Sequence, residues 1–364
     1  MDKPKRVLIT GAAGLLGSRL AEWLEANEPD VEIMGIDDFS GGYKSNVAQW
    51  LTRREPKNGL YFHRTDMYNL DELKELFNNF KPDVVYHLAA YAAEGLSPFI
   101  RGYNYINNTV ATANVITCCI EANVKRLVFT SSMAVYGVNT PPFDESYTPA
   151  PIDPYGIAKY ACEMDIRAAG EQHSLDWCII RPHNVYGRNQ NVSDSYRNVL
   201  GIWMYRILQG EPIVIFGDGK QRRAFSCIDD SLAPMWRASF FPAASKEIIN
   251  LGGIEATSIR DAALELCNVT GGANIQFAEA RHEVKEAFST WEKSENILGF
   301  EHSTSLYDGL SEMWNWVNSL GEIPPRLVWD RYELDVGLYQ FWTKENMTQG
   351  SHQVISRRPK ITLE

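Results

Sequence analysis

The sequence lacks three features that would each define a class of protein. No uninterrupted apolar run reaches membrane-spanning length, so no transmembrane helix is expected. Only six cysteines occur in 364 residues and none forms a CxxC pair, so neither a zinc site nor a redox motif is predicted. Positive charge is also scarce, and the net charge of −11 argues against nucleic acid as a partner.

The composition is typical of a globular protein, with 45% hydrophobic and 22% charged residues. A chain of 364 residues is long enough for two lobes with a sizeable core. The chain enters a β-branched run within its first ten residues, which leaves no room for a signal peptide. We therefore expect a cytoplasmic protein with free thiols, no bound metal and no membrane partner.

Residues 6–17, RVLITGAAGLLG, are the stretch around which the rest of the chain is organised. The apolar run VLIT predicts a buried parallel strand, and leucines at helical spacing follow the glycines. A strand, a glycine turn and a helix are the context of a dinucleotide-binding motif. Gly11 would permit the tight turn, Gly14 the approach of a diphosphate, and Gly17 close packing of helix on strand.

Asp37 follows a second predicted strand, 31–36, and lies 20 residues beyond Gly17. This is the usual distance to the acid that binds the ribose 2′-hydroxyl of NAD. No arginine or lysine follows until Lys44, so nothing nearby would neutralise a 2′-phosphate, and NAD is favoured over NADP. The alternative is an ordinary solvated aspartate in a turn.

Strands and helices alternate through the first half of the chain. A parallel sheet covered on both faces, the doubly wound Rossmann fold, is therefore predicted. Ligands in such a fold collect beyond the carboxyl ends of the strands. The further predicted strands are 60–66, 83–90, 126–132 and 176–186, with helices at 70–77, 97–119 and 155–173.

The predicted domain organisation has three parts. An NAD-binding Rossmann domain spans 1–187, with 225–245 returning to it. A smaller α/β lobe for the substrate spans 188–330 and includes a strand at 248–251. An aromatic tail, 331–364, follows, and it packs either on its own chain or on a second subunit.

Ser132, Tyr155 and Lys159 are the candidate catalytic residues. Tyr155 and Lys159 are four residues apart on a predicted helix, so both lie on one face. A lysine cation beside the phenol would lower the tyrosine pKa from about 10 and make it a general base. The fifth predicted strand ends at Ser131 and Ser132, and Ser132 would hydrogen-bond the reacting hydroxyl.

These motifs, in this order, resemble the extended short-chain dehydrogenase/reductase family, specifically its nucleotide-sugar epimerases and dehydratases, over residues 5–320. TGAAGLLG resembles the family's TGxxGxxG, FTSSMAVYG resembles SSAAVYG, and YGIAK and RPHNVYG also match. The resemblance implies NAD contacts from Gly11, Gly14, Leu16, Gly17, Asp37, Asp66, Met67, Ala89, Ala90, Asn108, Ser131, Tyr155, Lys159 and Pro182.

The same resemblance implies a nucleotide diphosphate sugar as substrate. GDGKQRRAF resembles the family's GDGxQxRDF, which makes Arg223 a diphosphate ligand, and Arg281 matches a later arginine with the same role. Asn184 lies near the substrate phosphates, and Ser132 contacts the sugar. Glu94 either hydrogen-bonds a sugar hydroxyl or is a solvated loop acid. His183 is either a substrate contact or a buried, hydrogen-bonded histidine.

Two departures from the family pattern narrow the expected reaction. The 4,6-dehydratases carry Asp-Glu directly after the catalytic Ser or Thr, the decarboxylases carry a Glu there, and the 3,5-epimerases carry a Cys. This chain has Met133 and Ala134, which cannot transfer protons. Oxidation and re-reduction at one carbon remain, so the expectation is an NAD-dependent 4-epimerase, an isomerase of carbohydrate metabolism.

Two alternatives stay open. A dehydratase or reductase would need a carboxylate from elsewhere, such as Glu94. A non-catalytic NAD-binding sensor would be indicated by loss of Ser132, Tyr155 or Lys159, all of which are present. The resemblance also implies a homodimer through the long helices near 100–119 and 156–173.

Overall fold

The computed structural model describes residues 2–51, 60–329, 331–343 and 352–355. The strands are β1 Arg6–Thr10, β2 Glu32–Ile36, β3 Leu60–His63, β4 Val84–His87, β5 Arg126–Thr130, β6 Trp177–Pro182, β7 Val185–Tyr186, β8 Ile213–Phe216, β9 Arg222–Ala224, β10 Ser226–Cys227, β11 Glu247–Leu251, β12 Ala256–Ser258, β13 Ile275–Ala278, β14 Glu286–Ala287, β15 Arg326–Trp329 and β16 His352–Ile355. The helices are α1 Leu15–Asn27, α2 Ala48–Leu51, α3 Leu70–Phe80, α4 Arg101–Tyr105, α5 Ala111–Glu121, α6 Pro154–His173, α7 Val199–Leu208, α8 Ile228–Ala238, α9 Ile259–Thr270, α10 Glu292–Leu298 and α11 Leu306–Ser319.

A seven-stranded sheet with the order β11-β6-β5-β4-β1-β2-β3 forms the centre of the molecule. Every adjacent pair of strands in it is parallel. The order reverses direction at β1 and β4, the crevice where doubly wound sheets bind ligands. The predicted Rossmann fold is confirmed.

The central strands are apolar on both faces because helices cover both sides of the sheet. Val7 and Ile9 of β1 point into one buried cluster, which also contains residues of α1 and α8. Leu8 points into a second cluster with residues of α3, α5 and α6. Alternation along a single strand therefore supplies both cores.

The strand predicted at 248–251 lies elsewhere than expected. The sequence analysis placed it in the smaller lobe, whereas β11 pairs with β6 at the edge of the large sheet, with Ile249 beside Ile180. That prediction was wrong because a short apolar run gives no information about its partner strand. The chain thus returns to the large sheet after its first excursion into the smaller lobe.

Two long predicted elements are interrupted. The strand predicted at 176–186 divides into β6 and β7, and Asn184 between them has a positive φ of 29°. The helix predicted at 97–119 divides into a short 3-10 turn, α4, a π-helical turn at Ile106–Val110 and α5. Both interruptions lie beside the cleft described below. In proteins generally, π-helical turns are frequent at functional sites.

The smaller lobe is built from two small sheets and three helices. β8 pairs with β13, and β9 lies between β12 and β14. Side chains from α7, α9 and α11 pack on these strands to form a separate apolar cluster.

The described part of the tail packs on its own chain. Trp329 and Trp342 are buried in a cluster with Tyr91, Phe99 and Tyr103. This settles the open choice for these two side chains in favour of the same chain, although residues 344–351 and 356–364 lie outside the described part. Among the described helices, none is both long and apolar enough to cross a membrane.

Candidate active site

A cleft of about 720 Å³ opens at the carboxyl ends of β1, β4 and β5. The large sheet forms its floor, the smaller lobe forms one wall, and tail residues such as Tyr339 contribute to its rim. A volume of this order is usual for sites that hold cofactors and small substrates.

The glycine turn between β1 and α1 forms one end of the cleft. Gly11 has a φ of 71°, and a Cβ on it would lie 2.7 Å from the backbone nitrogen of Ala89. A Cβ on Gly17 would overlap the carbonyl of Gly11. Helix α1 begins after Gly14 with no side-chain cap, so its first backbone N–H groups face the cleft and can bind an anion. This cradle fits the diphosphate of a dinucleotide.

Asp37 lies in the same part of the cleft, at the end of β2. Its Oδ2 accepts a hydrogen bond from the backbone N–H of Ala13 at 2.9 Å, and its Oδ1 accepts one from Phe39 at 2.7 Å. Burial raises the pKa of this carboxyl to about 6. The two backbone donors fix the carboxylate and leave each oxygen a second lone pair for a ribose hydroxyl.

Ser132, Tyr155 and Lys159 converge at the centre of the cleft. Ser132 and Tyr155 both line the cleft, and the Ser132 hydroxyl lies near enough to the Tyr155 phenol to lower its pKa. Lys159 donates from Nζ to the carbonyl oxygen of Thr130 at 2.7 Å. Tyr155 and Lys159 lie on one face of α6 because they are four residues apart. Asp153 caps the N-terminus of this helix, since its Oδ1 accepts a hydrogen bond from the backbone N–H of Gly156 at 2.9 Å.

The electrostatics of these groups differ from the sequence-based expectation. Burial raises the pKa of the Tyr155 phenol, and the carboxyls of Glu94 and Asp153 raise it further. Burial also lowers the pKa of Lys159 to about 8. The predicted lowering of the Tyr155 pKa is therefore wrong for the protein alone, because desolvation outweighs Ser132 and Arg197, the neighbours that lower this pKa. The oxidised nicotinamide of NAD carries a positive charge that favours the phenolate when it is bound.

A buried ion pair supports the strand end that carries the serines. Ser131 donates from Oγ to Glu163, and Glu163 is paired with Arg181 at 2.6 Å. The side chains of Glu163 and Arg181 are only 1% and 2% exposed. The Arg181 guanidinium also lies over the ring of Tyr136 at 4.7 Å. This arrangement joins α6 to the sheet directly beneath Ser132.

Asn107 lines the cleft, whereas the predicted cofactor ligand Asn108 does not. Asn108 is buried, and its side chain exchanges two hydrogen bonds with the backbone of Tyr91, at 3.2 and 3.3 Å. Asn108 thus fixes the loop after β4, and its contact with NAD stays a prediction. Adjacent helical residues point about 100° apart, so only one of the two asparagines can face the cleft.

The smaller lobe contributes two arginines. Arg223 uses its terminal nitrogens within the protein, binding Glu283 at 3.1 Å and the carbonyl of Val284 at 2.8 Å. Arg281 packs over the ring of Phe216 at 4.0 Å. Its Nε is buried and has no hydrogen-bond partner among the described residues, so this N–H group can donate a hydrogen bond to an anionic ligand.

Two carboxyls lie at the sugar end of the cleft. Glu94 faces the cleft, where partial withdrawal from bulk water and the nearby Asp153 raise its pKa to about 7. Burial raises the pKa of Asp153 as well. Glu94 lines the cleft with an exposed side chain, so both alternatives, a hydrogen bond to a sugar hydroxyl and a solvated loop acid, stay open.

His183 and Asn184 differ in position although they are neighbours. His183 is buried and contacts the Ser289 hydroxyl at 2.7 Å, which fits the alternative of a hydrogen-bonded core histidine. The structure gathers around one cleft all the other predicted site residues, namely Gly11, Gly14, Leu16, Gly17, Asp37, Asp66, Met67, Ala89, Ala90, Glu94, Ser131, Ser132, Tyr155, Lys159, Pro182, Asn184, Arg223 and Arg281.

Sequence reasoning missed several cleft residues. Arg197 lies outside every motif, and Asp153 was visible only as a helix cap before Pro154. Tyr339 of the tail was noticed for its aromatic character but not placed at the cleft. No periodicity or spacing brings such residues together, since their proximity depends on the packing of distant segments.

The fold and the cleft define a class of protein: a Rossmann enzyme with a dinucleotide cradle beside a Ser-Tyr-Lys group. Residues 7–252, more than half of the chain, match the model of the NAD dependent epimerase/dehydratase family. The chain belongs to this family and is an NAD-dependent enzyme, so the prediction of NAD as cofactor is confirmed.

Proteins of known name in this family are similar over most of the chain. A UDP-glucuronate 4-epimerase of Thermodesulfobacterium geofontis is 29% identical, and the match covers 85% of this chain and 95% of that protein. A UDP-glucose 4-epimerase of Mycolicibacterium smegmatis is 30% identical, with coverages of 84% and 96%. The UDP-glucuronic acid 4-epimerase of Bacillus cereus, whose structure was solved with UDP-glucuronic acid and NAD, is 28% identical to this chain. The structural match has a TM-score of 0.78 and covers 86% of this chain and 99% of that one.

Proposed function

We propose that this protein is a nucleotide-sugar 4-epimerase that inverts the C4 hydroxyl through a 4-keto intermediate. The names of the relatives support this proposal, as does a cleft in which the only predicted catalytic groups are Ser132, Tyr155 and Lys159. Bound NAD supplies a reversible hydride acceptor. Because the cofactor is regenerated in each cycle, we expect it to remain bound.

The roles of the chain's own residues follow from their positions. Tyr155 takes the proton of the C4 hydroxyl, and Ser132, which lines the cleft beside it, orients that hydroxyl. Lys159, turned toward the carbonyl of Thr130, keeps a cation on the same face of α6. Arg281 and Arg223 hold the substrate diphosphate, so that the sugar can turn while the nucleotide stays fixed.

The observation that carries the proposal is the pair of residues after Ser132. Met133 and Ala134 both line the cleft, at the positions where the family's dehydratases carry Asp and Glu. A thioether and a methyl group cannot deliver or accept a proton, so the elimination of water has no catalyst there. Exchange of a hydride at C4 needs no further acid or base.

We further propose uridine diphosphate as the carrier and a sugar without a carboxylate at C6. The relatives' names support UDP. Glu94 and Asp153 both lie close enough to Tyr155 to raise its pKa, so the sugar end of the cleft is acidic. A uronate placed there would meet like charge, which opposes binding. We therefore expect UDP-glucose to be preferred over UDP-glucuronate, and Glu94→Gln to reduce that preference.

Glu94 also supports a second candidate, a 4,6-dehydratase. A carboxyl whose pKa lies near 7 can act as acid and base at neutral pH. If Glu94 reached C5 and C6 of the sugar, it would replace the missing Asp-Glu pair. The two candidates differ in their product, since only the dehydratase removes the C6 hydroxyl.

The deciding experiment incubates the purified protein with UDP-glucose, UDP-N-acetylglucosamine or UDP-glucuronate, without added NAD, and identifies products by proton NMR. An equilibrium mixture of C4 epimers supports the epimerase. A 4-keto-6-deoxy sugar that disappears in Glu94→Gln would replace it with the dehydratase. Retained NAD with no product from any sugar would favour the sensor alternative.

We propose that the protein is a cytoplasmic homodimer. Val110, in the π-helical turn before α5, and Ile157 and Met164, on α6, are exposed apolar side chains. Ile157 and Met164 are seven residues apart, and therefore lie on one face of α6. Two such faces would cover each other in a symmetric pair.

A further inference from the structure

Arg197 is a cleft residue for which the motifs give no role. It lies in the smaller lobe just before α7, with its side chain only 19% exposed. Its Nε is 3.0 Å from a carboxylate oxygen of Asp194, and Asp194 itself is 1% exposed. Its guanidinium carbon lies 4.7 Å from the ring centroid of Tyr91. The charged group is thus held on two sides.

Strand β15, directly before the tail, fixes both supports of Arg197. Leu327 in β15 donates its backbone N–H to the carbonyl of Ser193 at 2.8 Å, which anchors the segment that carries Asp194. The indole of Trp329 donates to the hydroxyl of Tyr91 at 3.1 Å, which orients the ring beneath the guanidinium. The guanidinium is therefore preorganised before any ligand binds.

The guanidinium points toward the dinucleotide end of the cleft. A Cβ on Gly41 would overlap Nη2 of Arg197. A Cβ on the next residue, Gly42, would lie 2.7 Å from the backbone nitrogen of Gly14. Two consecutive glycines thus connect Arg197 to the first turn of α1, where the diphosphate cradle lies.

The terminal nitrogens of Arg197 are available for a ligand. Within 2–51, 60–329, 331–343 and 352–355, neither nitrogen has a hydrogen-bond partner. An arginine presents two parallel N–H groups that match phosphate oxygens, and a preorganised one loses little freedom when it binds. Two carboxylates compensate the charge of the guanidinium: Asp194, which is paired through Nε, and Asp37, which acts from farther away.

We propose that Arg197 binds the diphosphate of NAD from the side opposite the glycine turn. The backbone N–H groups of α1 and the guanidinium would then hold the two phosphates between the large sheet and the smaller lobe. Release of NAD would require the segment 193–197, and with it β15, to move. This contact slows cofactor loss and is independent of which sugar reaction follows.

The test uses the purified holoenzyme and isotopically labelled NAD. Arg197→Gln should release bound NAD and exchange it about 10- to 100-fold faster than the parent protein, the effect of losing a charged hydrogen bond. The rate of NAD exchange in Arg197→Lys should lie between the rates in Arg197→Gln and in the parent protein. Arg188→Gln is the matched control, because Arg188 lies in the same connecting segment but pairs with Glu312 at 2.7 Å outside the cleft.

A double variant protects the test against loss of folding. Arg197→Gln alone removes the cation beside the buried Asp194 carboxylate, whereas Arg197→Gln with Asp194→Asn removes both charges. Fast exchange in the double variant, with an unchanged melting temperature of the NAD-saturated protein, supports the proposal. An unchanged exchange rate overturns it, and an unchanged rate with a higher KM for the nucleotide sugar would move Arg197 to the substrate. Since exchange is measured without sugar, failure of the proposed reaction leaves this test intact.

Discussion

At the scale of single residues, the proposed epimerisation depends most on Tyr155. Its phenol is buried beside Ser132 in the wall of the cleft, so it is the group placed to take the substrate proton. Tyr155→Phe removes only the hydroxyl. We expect turnover to fall about 10²- to 10⁴-fold while bound NAD per subunit stays unchanged. Tyr160→Phe, on the same helix, should retain full activity in the same assay.

Glu94 makes a prediction about pH. Its pKa rises from 4.5 to about 7 on folding, so the folded state favours the neutral carboxyl. Stability is therefore highest, with respect to this group, below pH 4.5 and is lost as pH rises through 7. Glu94→Gln removes this cost, and we expect it to melt higher than the parent at pH 8 and equally near pH 4.

Denaturation at a series of pH values checks this sign. A variant that melts lower at pH 8 would contradict the assignment of a desolvated carboxyl. A pH-independent difference would show that Glu94 acts through packing and not through its charge.

The site could be predicted from the sequence where residues follow a strand closely or belong to a recognised motif, such as Tyr155 and Lys159. Gly11, Asp37 and Ser132 stand directly after predicted strands, and the Rossmann fold brings such positions to one edge. Arg197 and Asp153 could not be found this way because their neighbours come from remote segments. For Asn108 the resemblance identified the helix start, but it did not show that the neighbouring Asn107 is the side chain that lines the cleft.

At the scale of elements, the junction between α6 and the sheet depends on a buried charge pair. Glu163→Gln would leave the Arg181 guanidinium buried without its carboxylate partner. We expect a loss of about 3–5 kcal/mol in the free energy of unfolding. Glu171→Gln, an exposed change on the same helix, should cost less than about 0.5 kcal/mol.

Urea titrations followed by tryptophan fluorescence measure both variants. Equal midpoints for Glu163→Gln and Glu171→Gln would show that the pair contributes nothing to stability. Loss of activity without loss of stability in Glu163→Gln would instead point to its contact with Ser131.

Element order was predictable, but element partners were not. The β-branched runs of β1 and β5 identify buried strands, and their alternation with helices implies parallel pairing. The apolar run in β11 also predicts a buried strand, but its pairing with β6 depends on tertiary packing. β15 is similar, since its role as a support for the cleft depends on Trp329 reaching Tyr91.

At the scale of the whole molecule, the exposed apolar side chains near α5 and α6 predict the assembly. Met164→Asp places a charge at the centre of that face, and we expect the proposed dimer to dissociate because the charge would be buried. Leu264→Asp, an equally exposed change on α9, should leave the assembly intact. Sedimentation equilibrium distinguishes the two outcomes, and a parent protein that is already monomeric would contradict the dimer.

The whole molecule brings one sheet, one smaller lobe and the tail around a single cleft. The central claim is that a hydride leaves C4 of the sugar and returns to the same carbon within one enzyme. UDP-glucose deuterated at C4, incubated in ordinary water without added NAD, tests this most directly. We predict UDP-galactose with deuterium retained at C4 and no accumulation of reduced cofactor. A C4 epimer carrying solvent hydrogen at that carbon, or a product without its C6 hydroxyl, would contradict the account.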